Sequence, residues 1–427
     1  MQNKPHQEKK MSFKPLHFAL KKTSRSLLLA GLLSLNYSSA LMADEYDDSE
    51  SELTGYMAIE SRYFTQDALY SGQEDASYST AFNLEYYRDW DDGNKRIVAT
   101  TFGRYDSQDS ERSHIDMREL YLWRGYEDYE VYAGVRKVFW GVTETLHLVD
   151  IINQDDGVED IDGEDKLGQP MLSILLERDW GTFEAFALFG FRERTFAGTD
   201  GRLRPALTVD TDAARYQSSK GQDHVDFAAR WTQVYGDWDV GVSQFVGTSR
   251  DPQYQTITNA SNEATGLAPY YAQIQQTGLD VQAIYDDWLI KFEGISIKYQ
   301  DEDRNTAGVG GFEYTYVGIN DSVTDLGLFV EYQFDDRHGD KATATQNDLA
   351  LGTRWVLNDI EGTEVISSIS FDLDNQSQFV SLEASRRLND DWFFETQARI
   401  FTNTAEDDSA YALRNDDYVQ VELRRYF

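Results

Sequence analysis

The chain alternates apolar and polar residues with a period of two along most of its length, and this pattern restricts its folding more than any other feature. In TDLGLFVEYQF, Leu326, Leu328, Val330, Tyr332 and Phe334 share one face, and Gly327, Glu331 and Gln333 share the other. In TEVISSISFDLD, Val365, Ile369, Phe371 and Leu373 oppose Glu364, Ser368, Ser370 and Asp372. In DWFFETQARIF, Trp392, Phe394, Ala398 and Ile400 oppose Glu395, Gln397 and Arg399. HVDFAARWTQ and QTGLDVQAIY behave alike. Successive side chains of a strand point to opposite faces, so this period predicts strands. KRIVATTFGRYD alternates poorly and gives soft boundaries, and no convincing helical period follows the first forty or so residues.

Two kinds of connection separate the strands. One is short and sets Asp beside an aromatic: RDWDDG, YEDYE, RDWGTF, YGDWDV, YDDWLI and NDDWFF. The other is longer and polar, notably residues 139–169, 192–222, 248–269 and 335–346. Short turns on one side, long loops on the other and aromatic rings at the short turns predict a closed antiparallel transmembrane β-barrel of about eighteen strands. Its first strand is LTGYMAIESRYF and its last is the terminal DDYVQVELRRYF. In that last strand Val419, Val421, Leu423 and Phe427 oppose Tyr418, Gln420, Glu422 and Arg424. A terminal strand is an exposed edge unless something pairs with it, and closure onto the first strand removes that edge. A soluble, secreted β-sandwich would also alternate, but the aromatic short turns and the leader described next weigh against it.

Lys9, Lys10, Lys14, Lys21, Lys22 and Arg25 precede LLLAGLLSL and the small residues of NYSSALMA. That order marks residues 1–43 as a signal peptide, cut after Ala43, with Met11 an alternative start. An acidic segment, 44–52, then leads into a barrel at 53–427. The whole chain carries 39 Lys+Arg against 75 Asp+Glu. Without the seven bases and one acid of residues 1–43, the balance is 32 against 74, a net charge of −42. Such a charge excludes nucleic acid as a partner and favours cations or small hydrophilic solutes. The absence of cysteine excludes disulfides and thiolate metal sites. No cofactor is expected.

A barrel of this size is too wide for its own side chains to fill, so chemistry falls to whatever narrows it. The longest loop, 139–169, follows the fifth strand. It opens with the apolar residues Leu146, Leu148, Val149, Ile151 and Ile152 around Asp150, then carries Asp155, Asp156, Glu159, Asp160, Asp162, Glu164 and Asp165. An apolar anchor with a charged tip predicts an inward fold and a carboxylate constriction that selects cations. Replacing Asp155, Asp156, Asp160 and Asp162 by Asn is then expected to keep the shape and shift selectivity toward anions. Asp160, Asp162 and Asp165 beside Gly163 also suit calcium ligation, without the spacing of an EF-hand. Arg118, Arg124, Arg136, Arg178, Arg192 and Arg194, followed by Arg202 and Arg204, concentrate in strands four to seven and the next loop. His114 and His224 each stand two residues before an Asp, a weak catalytic signal, and no enzyme is predicted.

VFWGVTETLHLVDIINQDD, EDIDGEDKLGQPM, FRERTF and YALRNDDYVQVELRRYF resemble a family of porin-like outer-membrane proteins of Gram-negative bacteria. The resemblance spans nearly all of the chain after the leader and is most specific over 138–172. It implies a location in the outer membrane, surrounded by lipid and lipopolysaccharide. It implies a pore-folded loop after the fifth strand, and an arginine ladder that faces the loop's acids. It also implies that the barrel-assembly machinery reads Val419, Val421, Leu423, Tyr426 and Phe427. The wide lumen and the acidic loop predict passive passage of small hydrophilic solutes or ions with a cation preference, and the resemblance adds no particular solute. The rival reading is a non-conducting barrel, plugged by the 139–169 loop, that serves in surface structure, adhesion or assembly.

Overall fold

A computed structural model describes residues 49–300 and 302–427; the leader 1–43 and the start of the acidic segment lie outside the described residues. The strands run in chain order as β1 (Glu50–Phe64), β2 (Ala76–Trp90), β3 (Lys95–Asp106), β4 (His114–Gly125), β5 (Glu130–Arg136), β6 (Gln169–Arg178) and β7 (Gly181–Leu188). There follow β8 (Arg215–Tyr216), β9 (Asp226–Tyr235), β10 (Trp238–Thr248), β11 (Gln253–Thr258), β12 (Ala264–Tyr271), β13 (Gln273–Tyr285) and β14 (Trp288–Tyr299). The last are β15 (Arg304–Tyr316), β16 (Asp325–Asp335), β17 (Asn347–Val356), β18 (Glu364–Asp372), β19 (Gln378–Arg387), β20 (Trp392–Thr402) and β21 (Tyr418–Tyr426). Eighteen of them form one antiparallel sheet, and β8, β11 and β12 form a separate three-stranded sheet at the long-loop end.

The large sheet closes on itself. β1 pairs with β2 on one side and β21 on the other, from Tyr56 opposite Tyr426 to Phe64 opposite Tyr418. The Phe427 amide donates to the Gly55 carbonyl at 3.1 Å, and the Gly55 amide returns the bond at 3.3 Å. Closure therefore pairs the backbone groups that an open edge would leave free.

The period of two now has its physical cause. In β16, Leu328, Tyr332 and Phe334 are exposed on the outer face, while Phe329, Glu331, Gln333 and Asp335 are buried toward the lumen. In β1, Met57, Ile59 and Tyr63 point out while Ala58, Glu60, Arg62 and Phe64 point in. The outer face is aliphatic at mid-height, with Leu120, Leu122, Leu172, Val242, Leu279 and Ile400. Exposed Trp180, Tyr235, Trp238, Tyr285 and Trp288 ring the short-turn end, and Tyr63, Tyr78, Tyr105 and Phe227 the other. The poorly alternating stretch is β3, whose pairing with β4 shifts register between Thr100 and Thr101, a bulge that breaks the period.

The six Asp-aromatic turns all lie at the end holding Phe427, and the four long connections lie at the other. The alternation of short and long fails in the second half of the chain. Residues 317–324 and 357–363 make longer turns at the short-turn end, while 300–303 and 373–377 are short connections at the opposite end. The barrel also begins three residues earlier than the sequence reading set it, because Glu50–Glu52 pair with Tyr87–Asp89 in β2.

Candidate constriction site

The loop after the fifth strand, residues 137–168, folds into the barrel as two arms. The first arm crosses the lumen because its apolar residues find a wall to pack on. Trp140, Leu148, Val149, Ile151 and Ile152 are buried against Phe186, Phe245, Ile274, Ile295, Ile297 and Val309. Burial of an aliphatic side chain is worth about 1.5–3 kcal/mol. Asp150 tightens the arm's own turn, accepting from the Trp140 and Gly141 amides at 2.5 and 3.1 Å. Two wall glutamates fix the crossing. Glu293 of β14, fully buried, accepts from the Val142, Thr143 and Val149 amides at 2.7, 3.0 and 3.1 Å. Glu331 of β16 accepts from the Glu144 and Thr145 amides at 2.8 and 2.9 Å. The Glu144 carboxylate then meets Arg354 of β17 at 2.7 Å, nine barrel strands from β5 and so half the circumference away.

The second arm is held by charge. Asp156, fully buried, pairs with Arg118 at 2.5 Å and also accepts from the Thr195 hydroxyl. Glu159 pairs with Arg104 at 2.8 Å, and Arg62 and Arg112 donate to the Glu159 and Val158 carbonyls at 3.2 and 3.0 Å. Asp160 and Asp162 both reach Arg399 of β20, at 3.2 and 3.0 Å, and Arg399 also holds Glu383 at 2.7 Å. Asp155 binds Lys166 and, at 3.3 Å, Arg194. His147 clasps the two arms together, its Nε2 lying 2.6 Å from Glu164.

The arginine ladder expected here exists with different members. Arg62, Arg104 and Arg118 stand on β1, β3 and β4 with Arg112 just before β4, all facing the second arm. Arg192 joins at the side through Asp116 at 2.6 Å and the Gly168 carbonyl at 3.1 Å, and Arg194 through Asp155. Arg136 pairs with Glu184 at 2.7 Å on the wall beside the loop's root. Arg124 and Arg178 do not belong to the site. Arg124 lies over Tyr126, and Arg178 donates to the Asp128 carbonyl at 2.7 Å, both at the short-turn end. Arg124 is six residues along β4 from Arg118, about 20 Å at the rise of a strand. Arg202 and Arg204 tie loops together, Arg202 through Asp416 at 2.6 Å and Arg204 through the Thr199 carbonyl. Of the three calcium candidates, Asp160 and Asp162 hold the Arg399 guanidinium between them, and Asp165 has no cationic partner among the described residues.

What remains open beside the loop is acidic. One cavity of about 830 Å³ is lined by twelve carboxylates against five basic side chains. A second, of about 1000 Å³, is lined by thirteen against six. Asp162, Glu164, Glu383 and Glu395 line both. Asp165 is exposed to the first cavity yet hemmed in by protein; this enclosure, then Glu159 and Asp160, pushes its carboxyl up to about 7. Asp162 is raised by the same enclosure and by Asp160. Glu164 is held below the usual carboxylate range by its hydrogen bond to His147.

Sequence reading passed over Glu60, Arg62, Arg104, Glu293, Glu331, Glu383 and Arg399. Their signal was available: each is a charged residue on the inward parity of its strand, a position that an empty, unlined pore would not need.

No family model matches the chain, and no curated protein does. Among solved structures, the chain is similar to Pseudomonas aeruginosa OpdQ, at 11% identity and a TM-score of 0.48 over 89% of this chain and 97% of that one. It is also similar to a variant of Rh. blastica porin, at 12% identity and a TM-score of 0.43 over 88% and 100%. A structure titled "Asymmetric conductivity of engineered proteins" overlaps likewise, at 13% identity and a TM-score of 0.42 over 88% and 100%.

Proposed function

We propose that this protein is an outer-membrane channel that passes small hydrophilic solutes, cations in preference to anions. The outer surface supports the location: an aliphatic belt between two aromatic girdles is the surface a bilayer requires of a barrel. One observation carries the selectivity. Every arginine lining either cavity is ion-paired, as Arg104, Arg118, Arg354 and Arg399 are, whereas Glu119, Asp165 and Asp348 have no cationic partner among the described residues. An anion entering the lumen meets neutralised guanidiniums and, as the one lining ammonium or guanidinium without an ion pair among the described residues, Lys137, whereas a cation meets free carboxylates inside low-dielectric walls. Purified protein in planar bilayers under a salt gradient tests this reading. Stepwise conductance with a cation-directed reversal potential is expected, and steps with an anion-directed potential overturn the preference.

The plugged barrel has one observation in its favour, the apolar packing that seals the first arm to the far wall. It requires that no conductance steps occur at all, so the same experiment separates the two.

A further inference from the structure

Three atoms able to ligate a metal converge behind the second arm. His114 Nε2, at the start of β4, lies 3.4 Å from Asp156 Oδ2 and 3.7 Å from Glu159 Oε1, and the three ligand atoms all fall within 4.8 Å of one another. His114 Nδ1 sits 3.2 Å from the Arg112 carbonyl, which can only accept, so Nδ1 carries the proton. In the neutral ring, that places the Nε2 lone pair toward two carboxylates. Glu159 Oε1 and His114 Nε2 are both buried without a hydrogen-bond partner, and Glu159 as a whole is only 6% exposed. Converging lone pairs repel unless a cation stands among them, and buried polar atoms left unpaired are costly.

We propose that His114, Asp156 and Glu159 bind a divalent transition-metal ion of the zinc class, which clamps the second arm to the barrel wall. A tetrahedral ion with ligand distances of about 2.0–2.2 Å sets its ligand atoms about 3.3–3.6 Å apart, close to the two histidine separations. The imidazole disfavours calcium and magnesium, which take oxygen ligands, and suits zinc. The Nδ1 hydrogen bond to a backbone carbonyl is the outer-shell contact that orients a metal-binding histidine. Arg118 and Arg104 do not fill the position. Arg118 shares Asp156 Oδ2, which keeps a second lone pair, and Arg104 takes the other oxygen of Glu159. The surroundings are net acidic, though by less than the charge of a divalent ion. The connected ion pairs around the site join seven carboxylates to five guanidiniums, and counting Arg62 beside them still leaves one negative charge in excess.

The rival occupant is a proton, making His114 an imidazolium between its two acids. The experiment uses the untagged full chain in detergent, dialysed at pH 8 against micromolar zinc chloride with excess magnesium, with metal counted per folded chain. One zinc is expected per wild-type chain and none in His114→Gln, with cobalt(II) giving the visible band of a four-coordinate ion in the wild type alone. Glu159→Gln, checked for folding by heat-modifiable gel migration, should lose the ion too. Zinc that persists in His114→Gln belongs elsewhere, and a wild type without zinc at pH 8 leaves the proton as occupant; either result overturns the proposal. The count does not depend on whether the barrel conducts.

Discussion

A carboxylate in this lumen either holds the loop or faces the solute, and a guanidinium within reach decides which. Asp156 is fully buried on Arg118, so Asp156→Asn leaves Arg118 only the longer pair to Asp116 at 3.3 Å, a change that costs up to about 3–5 kcal/mol. A lower temperature for the heat-modifiable gel shift would register that loss, and an unchanged temperature would show the pair to be dispensable. Asn at 155, 156, 160 and 162 together should loosen the second arm, against the expectation from sequence, because it removes the loop's pairs to Lys166, Arg118 and Arg399, leaving Arg118 only Asp116 and Arg399 only Glu383. Asp165→Asn is the cleaner probe, having no cationic partner to strand, and should move the reversal potential toward anions without loss of stability, since enclosure disfavours the charge it removes. Its raised carboxyl also sets a pH dependence. The group is charged above about 7 and neutral below, so cation preference should weaken as pH falls through that region and the dependence should shrink in the variant. The loop's acids were legible as a run of Asp and Glu. Their partners were not, because Arg62, Arg104 and Arg399 come from strands far away in sequence, and parity reveals only which face they occupy.

At the scale of elements, the constriction depends on anchoring one loop across half a barrel. Glu293 accepts three backbone bonds from the first arm and a fourth from the Thr143 hydroxyl at 2.7 Å. Hydrogen bonds to a charged group contribute about 1.5–3 kcal/mol each. Glu293→Gln should let the arm fluctuate, which single-channel recording would read as added open-state noise. A recording as quiet as wild type would mean that the apolar packing alone holds the arm. Deleting residues 153–166 should raise conductance, since the second arm then leaves the lumen, whereas a conductance equal to wild type would place the arm outside the permeation path. The inward fold was legible from an apolar stretch in a polar loop, and β16 from its strict alternation. The bulge at Thr100 hid the period of β3, and the β11–β12 hairpin lay within what read as an irregular loop. Arg124 and Arg178 misled because clustering in sequence says nothing about height along a strand.

For the whole molecule, closure and orientation are linked, because an even number of strands brings both ends to the same side. The seam leaves little room for substitution: a Cβ on Gly55 would stand 2.3 Å from the Asn83 carbonyl oxygen and 3.2 Å from the Phe427 ring. If the short-turn end faces the periplasm, the hairpin tip at Asn259–Asn262 is external and the turn at Gly236–Asp237 is internal. Residue 157 lies in a long loop, yet it is unsuited as an external marker. Gly157 is half-buried inside the barrel, with a Cβ there only 2.8 Å from the Thr195 carbonyl oxygen, so a tag at that point would disrupt the second arm instead of reporting on it. An epitope after Ser261 sits in an exposed turn whose backbone bonds are local, Asn262 donating to the Asn259 carbonyl at 2.9 Å, and should leave the barrel intact. Antibody should label that epitope on intact cells and should reach one after Asp237 only once the outer membrane is permeabilised. The reverse pattern would invert the barrel, and labelling of both on intact cells would deny that it spans a membrane.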